Sequence, residues 1–333
     1  MKKRNQDNKK KFKLFDPYRD GKGVYEAESR KPTLKFFFVL LWRKLSQLFQ
    51  LNLLMLVKII PLLVIAGIYL LGSKTPIVTD SIYIPLSGVG KILPTASLTT
   101  ELDLASVHMQ YPVLNTWMNV LIIVMVLFLA LTWGWQSVGA TYVLRGLFRG
   151  DAVFVFSDFF YAIKKNFKQA FFMGLLDFII SAVLIIDFIF FYYRTGTSFG
   201  IDMMYFMIFL MGIIYIMMRF YLYHLLITFE LKNFKIVKNA FIFSILGIKR
   251  NIMALLGFVL LLALHIFLII IFIPIGISIP IVLPFVYILA IFGFISTYAA
   301  YPIIDRYMIQ PYEASQKANS AETNEEENKE ITE

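Results

Sequence analysis

Cysteine is absent from the 333 residues, which excludes disulfides, thiolate metal sites and cysteine nucleophiles. Charge is scarce as well: Asp, Glu, Lys and Arg make up 16% of the chain, against about 25% in soluble globular domains. There is no G-x-x-x-x-G-K-[ST] phosphate loop and no His-Glu-x-x-His metal pair. GTSFG at 196–200 has the letters of a G-x-S-x-G nucleophile motif. That chemistry needs a strand-turn-helix elbow with a histidine and an acid at hand, which a short turn between two apolar runs does not supply. No enzyme activity, metal or cofactor is expected.

What the chain does have is hydrocarbon. It is 59% hydrophobic, carries 33 phenylalanines and has a mean hydropathy of +0.70. Apolar runs of spanning length lie near 51–72, 115–143, 169–193, 203–228, 252–273 and 279–304, and a bilayer core of roughly 30 Å takes about 20 helical residues. The expected fold is therefore all-α: a polytopic membrane bundle of about six transmembrane helices with amphipathic helices beside it. FFFVLLWRKLSQLFQ, just before the first run, either lies in the interface or extends that helix.

Lysine and arginine near span ends are retained on the cytoplasmic side. Fourteen fall in 1–50, five in 144–168, five in 229–251 and three after 304, against Lys74, Lys91 and Arg194 on the opposite face. Both termini are then cytoplasmic. Three regions follow: a basic segment 1–35, a membrane domain 36–310 containing an outer loop 73–114, and an acidic tail 311–333 that reads as disordered. MKKRNQDNKKKFKLFDPYRDGKGVYEAESRK is too polar and too long for a cleavable signal, so the first span is expected to be an uncleaved anchor. The net charge of +10 sits beside the spans and forms no separate basic domain, which favours anionic lipid of the inner leaflet over nucleic acid. In the outer loop, IVTDSIYIPLSG alternates as a short hairpin would, while the prolines nearby argue for an irregular course.

The two long inner connections are more than turns. Ser157 and Asp158 suit a helix start. From there Phe160, Ile163, Phe167 and Phe171 fall on one helical face, with Lys164, Lys165 and Lys168 flanking it. Phe234, Val237, Phe241 and Ile245 repeat that spacing, flanked by Lys235 and Lys238. Helices of this kind lie on a leaflet with rings in the acyl boundary and lysines at the headgroups, where they also offer a docking face. FYAIKKNFKQAF and FKIVKNAFIFSI align without a gap, as a duplicated two-span unit would, although a chain so rich in phenylalanine also produces such matches by chance.

NLLMLVKIIPLLVI, RGLFRGDAVFVFSDFFYAIKKNFKQA and YLYHLLITFELKNFKIVKNAFIFSILGIKRN resemble the YesL family of bacterial membrane proteins, as does GKGV ahead of RKLSQLFQLNLL. The similarity covers roughly residues 36 to 270. It implies a polytopic protein of the bacterial plasma membrane in a carbohydrate-uptake context, with carbohydrate ABC transporter subunits or other membrane proteins as partners. It transfers no catalytic or binding residue.

A charge at mid-bilayer costs about 2.5–3.5 kcal/mol on insertion scales. Lys58, Asp177 and Arg219 nevertheless lie within spans, each on the order of 12–14 Å from the inner end at 1.5 Å per residue. That shared depth points to an Asp177–Arg219 pair with Lys58 close by. The alternative is that Lys58 and Arg219 snorkel separately to the inner phosphates. Asp187 has no evident partner and needs either a water-filled crevice or a tyrosine donor. His224 and His265 read as packing residues, and the methionines of MMYFMIFLMGIIYIMM as an adaptable packing surface.

Two functions fit. One is an accessory or scaffold subunit. The other is a small-solute transporter, sugar-related, whose path is lined by Asp177, Arg219, Lys58 and Asp187, with His224 nearby. No EAA-type loop for contact with an ATPase is present, and few polar residues line any helix, which favours the accessory role. The absence of native cysteine gives a direct test of orientation. Single cysteines introduced at 157–171 should stay unlabelled by an impermeant thiol reagent added to intact cells and should react after lysis; labelling from outside would invert the scheme.

Overall fold

The computed structural model describes residues 32–71, 74–76, 110–112 and 114–316. The basic segment up to 31, the alternating run 77–88 and the tail from 317 lie outside the described residues. Helix α1 (Leu34–Arg43) starts on Thr33, whose hydroxyl accepts from the Phe36 N–H. The first span follows as α2 (Leu45–Met55), a 3-10 turn (Leu56–Lys58) and α3 (Ile59–Leu71). Pro61 explains the break, because its ring clashes with the carbonyl four residues back, that of Val57, and it offers no N–H to it. Strands β1 (Lys74–Pro76) and β2 (Gln110–Pro112) pair antiparallel with Thr75 opposite Tyr111.

The second span is α4 (Thr116–Arg149), capped by the Asn115 side chain and ended by Gly150 at φ 82°, a left-handed turn that glycine adopts without strain. Then come α5 (Val155–Lys165), α6 (Phe167–Tyr192), α7 (Phe199–Thr228), α8 (Asn233–Leu246), α9 (Ile248–Phe272) and α10 (Ile279–Ile304). The chain continues through a π-helical stretch, Asp305–Ile309, and remains helical to Gln316, past the boundary expected at 310. Among the described residues six helices are long and apolar enough to cross a membrane, so the all-α polytopic bundle holds. GTSFG is a turn: Gly196 takes φ 82°, and Ser198 caps α7 by accepting from the Ile201 N–H.

The connections 150–166 and 229–247 are helical, with boundaries that differ from the expected ones. α5 begins at Val155, and Asp158 reaches back to accept from the Phe154 N–H at 2.8 Å. It ends at Asn166, whose side-chain amide donates to the Ala162 carbonyl at 3.0 Å and so competes with helix continuation. Phe167 and Phe171 consequently belong to α6. Each inner helix also has two apolar faces. Val155, Phe159 and Ala162 of α5, and Ile236, Ala240 and Phe243 of α8, are buried in the bundle. Phe156, Phe160, Phe234 and Phe241 face outward.

Burial is uneven along the spans. Buried residues of α4 run from Leu129 to Leu147, of α6 from Ala170 to Asp177, and of α7 from Met217 to Leu226. All lie toward the end bearing α5 and α8. At the other end Trp117, Tyr193 and Phe199 are over 80% exposed, which suits interfacial aromatics.

The tightest crossing is between α4 and α6 at Gly134 and Gly174. A Cβ placed on Gly134 would stand 2.7 Å from the Gly174 Cα and closer still to the Ala170 carbonyl oxygen. Small residues let spanning helices approach in this way. Gly134→Ala should therefore destabilise by about 1–3 kcal/mol through overpacking. Gly67→Ala, where an added Cβ meets nothing within 4 Å, should be neutral or stabilising by up to about 1 kcal/mol. Thermal unfolding of the purified protein in detergent distinguishes the two.

Candidate functional site

The Gly134–Gly174 contact fixes what lies beside it. Trp133 precedes Gly134, and Asp177 follows Gly174 by one helical turn, so close approach of the backbones brings the indole to the carboxylate. Trp133 Nε1 donates to Asp177 Oδ2 at 2.7 Å. From α7 come Tyr215, Arg219 and Tyr223, spaced i, i+4 and i+8 and hence on one face. Tyr215 Oη donates to Oδ1 at 2.6 Å and Tyr223 Oη to Oδ2 at 2.6 Å. Arg219 Nε lies 2.9 Å from Oδ1 and donates to Oδ2 at 3.2 Å. An ionised carboxylate has about four acceptor positions. Here four donor groups occupy them, and the Asp177 side chain has no exposed surface.

Lys58 approaches from the broken first span. Its Nζ donates to Ser137 Oγ at 3.0 Å and stands 4.2 Å from the centre of the Trp133 ring. Ser137 in turn donates to the Trp133 carbonyl at 2.8 Å. The Arg219 guanidinium carbon is 5.4 Å from the same ring. The indole is thus near two cations while donating to an anion, an arrangement its electron-rich faces and polar edge suit. Two basic side chains accompany one carboxylate.

Of the residues picked out by depth, the structure brings Asp177 and Arg219 into direct contact and sets Lys58 one indole away. Asp187 is elsewhere: ten residues and about 15 Å further along α6, half-buried, and without a hydrogen bond or ion pair among the described residues. His224 is buried and donates through Nδ1 to the Phe220 carbonyl at 2.8 Å, so it is tied to its own helix. Trp133, Ser137, Tyr215 and Tyr223 were missed in the sequence. The four-residue spacing Tyr-x-x-x-Arg-x-x-x-Tyr in the fourth span was the available signal.

The docking residues divide by face. Phe160 and Phe167 are half exposed, and Phe234 is exposed, as is Phe241. Ile163 and Val237 are half-buried against the bundle. Phe167 stacks on Trp135 with ring centres 4.5 Å apart. Lys164, Lys165, Lys168, Lys235 and Lys238 are all exposed. Gln169 Nε2 donates both to the Leu231 carbonyl at 2.6 Å and to Asn233 Oδ1 at 3.0 Å, joining the two connections.

Fold and site together define a polytopic helical membrane protein whose half nearer α5 and α8 is locked around a buried carboxylate. Residues 115–188 match a family model described as protein of unknown function, DUF624. The matched stretch takes in α4, α5 and most of α6, and so includes Trp133, Ser137 and Asp177 but not Arg219 or the two tyrosines. No curated protein and no solved structure matches the chain.

Removing one member of a buried ion pair costs about 3–5 kcal/mol, because the other charge is left uncompensated. Asp177→Asn and Arg219→Gln should each lower the melting temperature and folded yield. The double variant should recover part of the loss, as measured by a double-mutant cycle in detergent; simple additivity would mean that the pair is not coupled.

Proposed function

We propose that this protein is a non-enzymatic accessory or scaffold component of a membrane assembly, of YesL type and associated with carbohydrate uptake. In this reading it sits in the plasma membrane of a bacterium with both termini in the cytoplasm. The observation that carries the proposal is the saturation of Asp177: with its four acceptor positions occupied by donors from two neighbouring helices, it serves as a joint and offers nothing to a passing solute. The hydroxyls of α4 support the same reading. Thr132, Ser137 and Thr141 each donate to the carbonyl four residues back, so they form no polar file along the span.

The partner surface in this proposal is the outward face of α5 and α8, where exposed phenylalanines alternate with lysines. Such a face binds anionic inner-leaflet lipid through its lysines and a membrane protein, such as a carbohydrate ABC transporter subunit, through its rings. The uptake context itself comes from the resemblance to YesL proteins. A transporter built on Asp177, Arg219, Lys58 and Asp187 is the competing reading, and the separation of Asp187 from the other three weighs against it.

Affinity purification from native membranes should retain permease subunits, while the purified protein in liposomes should take up no sugar. Changing Lys164, Lys165 and Lys168 together to Glu should reduce the retained partner severalfold without loss of the folded protein. Sugar uptake by the protein alone would overturn the proposal.

A further inference from the structure

Between the outward halves of α6 and α7 lies a groove of about 410 Å3. Leu184 and Phe188 form one wall and Phe209 and Ile216 the other, and the inner end holds Arg219 and Ser181. Gly212 lines the groove from α7, and a Cβ there would meet nothing within 4 Å. A glycine in mid-helix costs about 1 kcal/mol relative to alanine, yet no neighbour within the chain requires this one. The space above it is open.

The polar end is incompletely satisfied. Arg219 spends Nε on Asp177, while its terminal nitrogens, four N–H donors, have no acceptor among the described residues. Its side chain is 32% exposed. Ser181 Oγ is buried near the Tyr215 hydroxyl, with no close hydrogen bond among the described residues. With Lys58 adjacent to the same indole, two basic side chains stand beside one acid.

We propose that the groove binds one long-chain fatty carboxylate, with its hydrocarbon chain along the apolar walls and its carboxylate on the terminal nitrogens of Arg219. Three features select this class. A volume at the low end of the drug-sized range accommodates a single chain better than a two-chained phospholipid. The guanidinium fork matches a carboxylate in bidentate fashion. A carboxylic acid also crosses hydrocarbon in its neutral form and can ionise beside a cation, whereas a phosphodiester headgroup must carry its charge to the same depth. The inference goes beyond the scaffold role and does not depend on the partner's identity.

The test uses the full chain, purified and stripped of lipid, with palmitate as probe and bound ligand counted by native mass spectrometry. One palmitate should be retained per chain, about tenfold or more in preference to 1-hexadecanol, which has the same chain without the charge. Gly212→Leu starts from a Cβ that meets nothing within 4 Å, projects its side chain into the groove and should abolish retention. Gly67→Leu places the same side chain at another open glycine on a spanning helix and should leave retention unchanged, and unaltered size-exclusion profiles show that both variants are folded. Equal retention of hexadecanol, unchanged palmitate binding in Gly212→Leu, or displacement of palmitate by equimolar phosphatidylglycerol would each overturn the proposal.

Discussion

A carboxylate with no exposed surface, set on a helix that crosses hydrocarbon, has to find its solvation in the protein. For Asp177 that solvation comes from an indole, two phenols and a guanidinium, and supplying it constrains three helices at once. α4 must come close enough for Trp133 to reach, which the glycine pair at 134 and 174 permits. α7 must present one fixed face, because its three donors are spaced four residues apart. Apolar contacts between spans lack this selectivity, since a lipid tail replaces a leucine neighbour at little cost. The buried charge therefore decides which faces meet, and the well-buried part of the bundle coincides with its depth.

The same demand, that no backbone group be left unsatisfied in lipid, accounts for the irregular places in the chain. Pro302 inside α10 has no N–H for the Tyr298 carbonyl, and Arg250 Nη2 donates to that oxygen at 2.8 Å instead. Near the other end of α10 the Asn52 side chain donates to the Phe285 carbonyl at 2.6 Å and accepts from the Ala290 N–H at 3.0 Å, one amide standing in for part of a helical turn. Tyr298 Oη donates to the Thr33 carbonyl at 2.5 Å. The first and last spans are thereby joined by hydrogen bonds to backbone, a bond type that survives in hydrocarbon.

The spans could be read from the sequence because hydropathy and length dominate where lipid is the solvent, and the depth of Lys58, Asp177 and Arg219 followed from counting at a fixed rise. What counting could not give was rotation about each helix axis. Trp133 looked like one more apolar residue until Gly134 and Gly174 set the crossing. The connecting helices show the same limit: Phe160, Ile163 and Phe167 follow a helical period, but Val155, Phe159 and Ala162 follow it equally, and only tertiary packing sets the second group inward. Asn166 ended the helix through a local side-chain bond that periodicity does not register.

That choice of face bears on the proposed role. If α5 and α8 had turned Phe156, Phe160, Phe234 and Phe241 into the bundle, their outward surfaces would carry mainly lysines and smaller aliphatic side chains. Because the smaller residues Val155, Ala162 and Ala240 pack inward, the rings of Phe156, Phe160, Phe234 and Phe241 are left outside. α5 joins α4 to α6 and α8 joins α7 to α9, so these two helices hang from the spans that Asp177 locks together. Gln169 and the Arg145–Thr228 contact, 3.0 Å from Nη1 to Oγ1, tie their bases across the gap. A docking face needs a fixed spacing between its two halves, and here that spacing is set inside the membrane: loosening the carboxylate joint would let α6 and α7 rotate and carry the two aromatic faces apart.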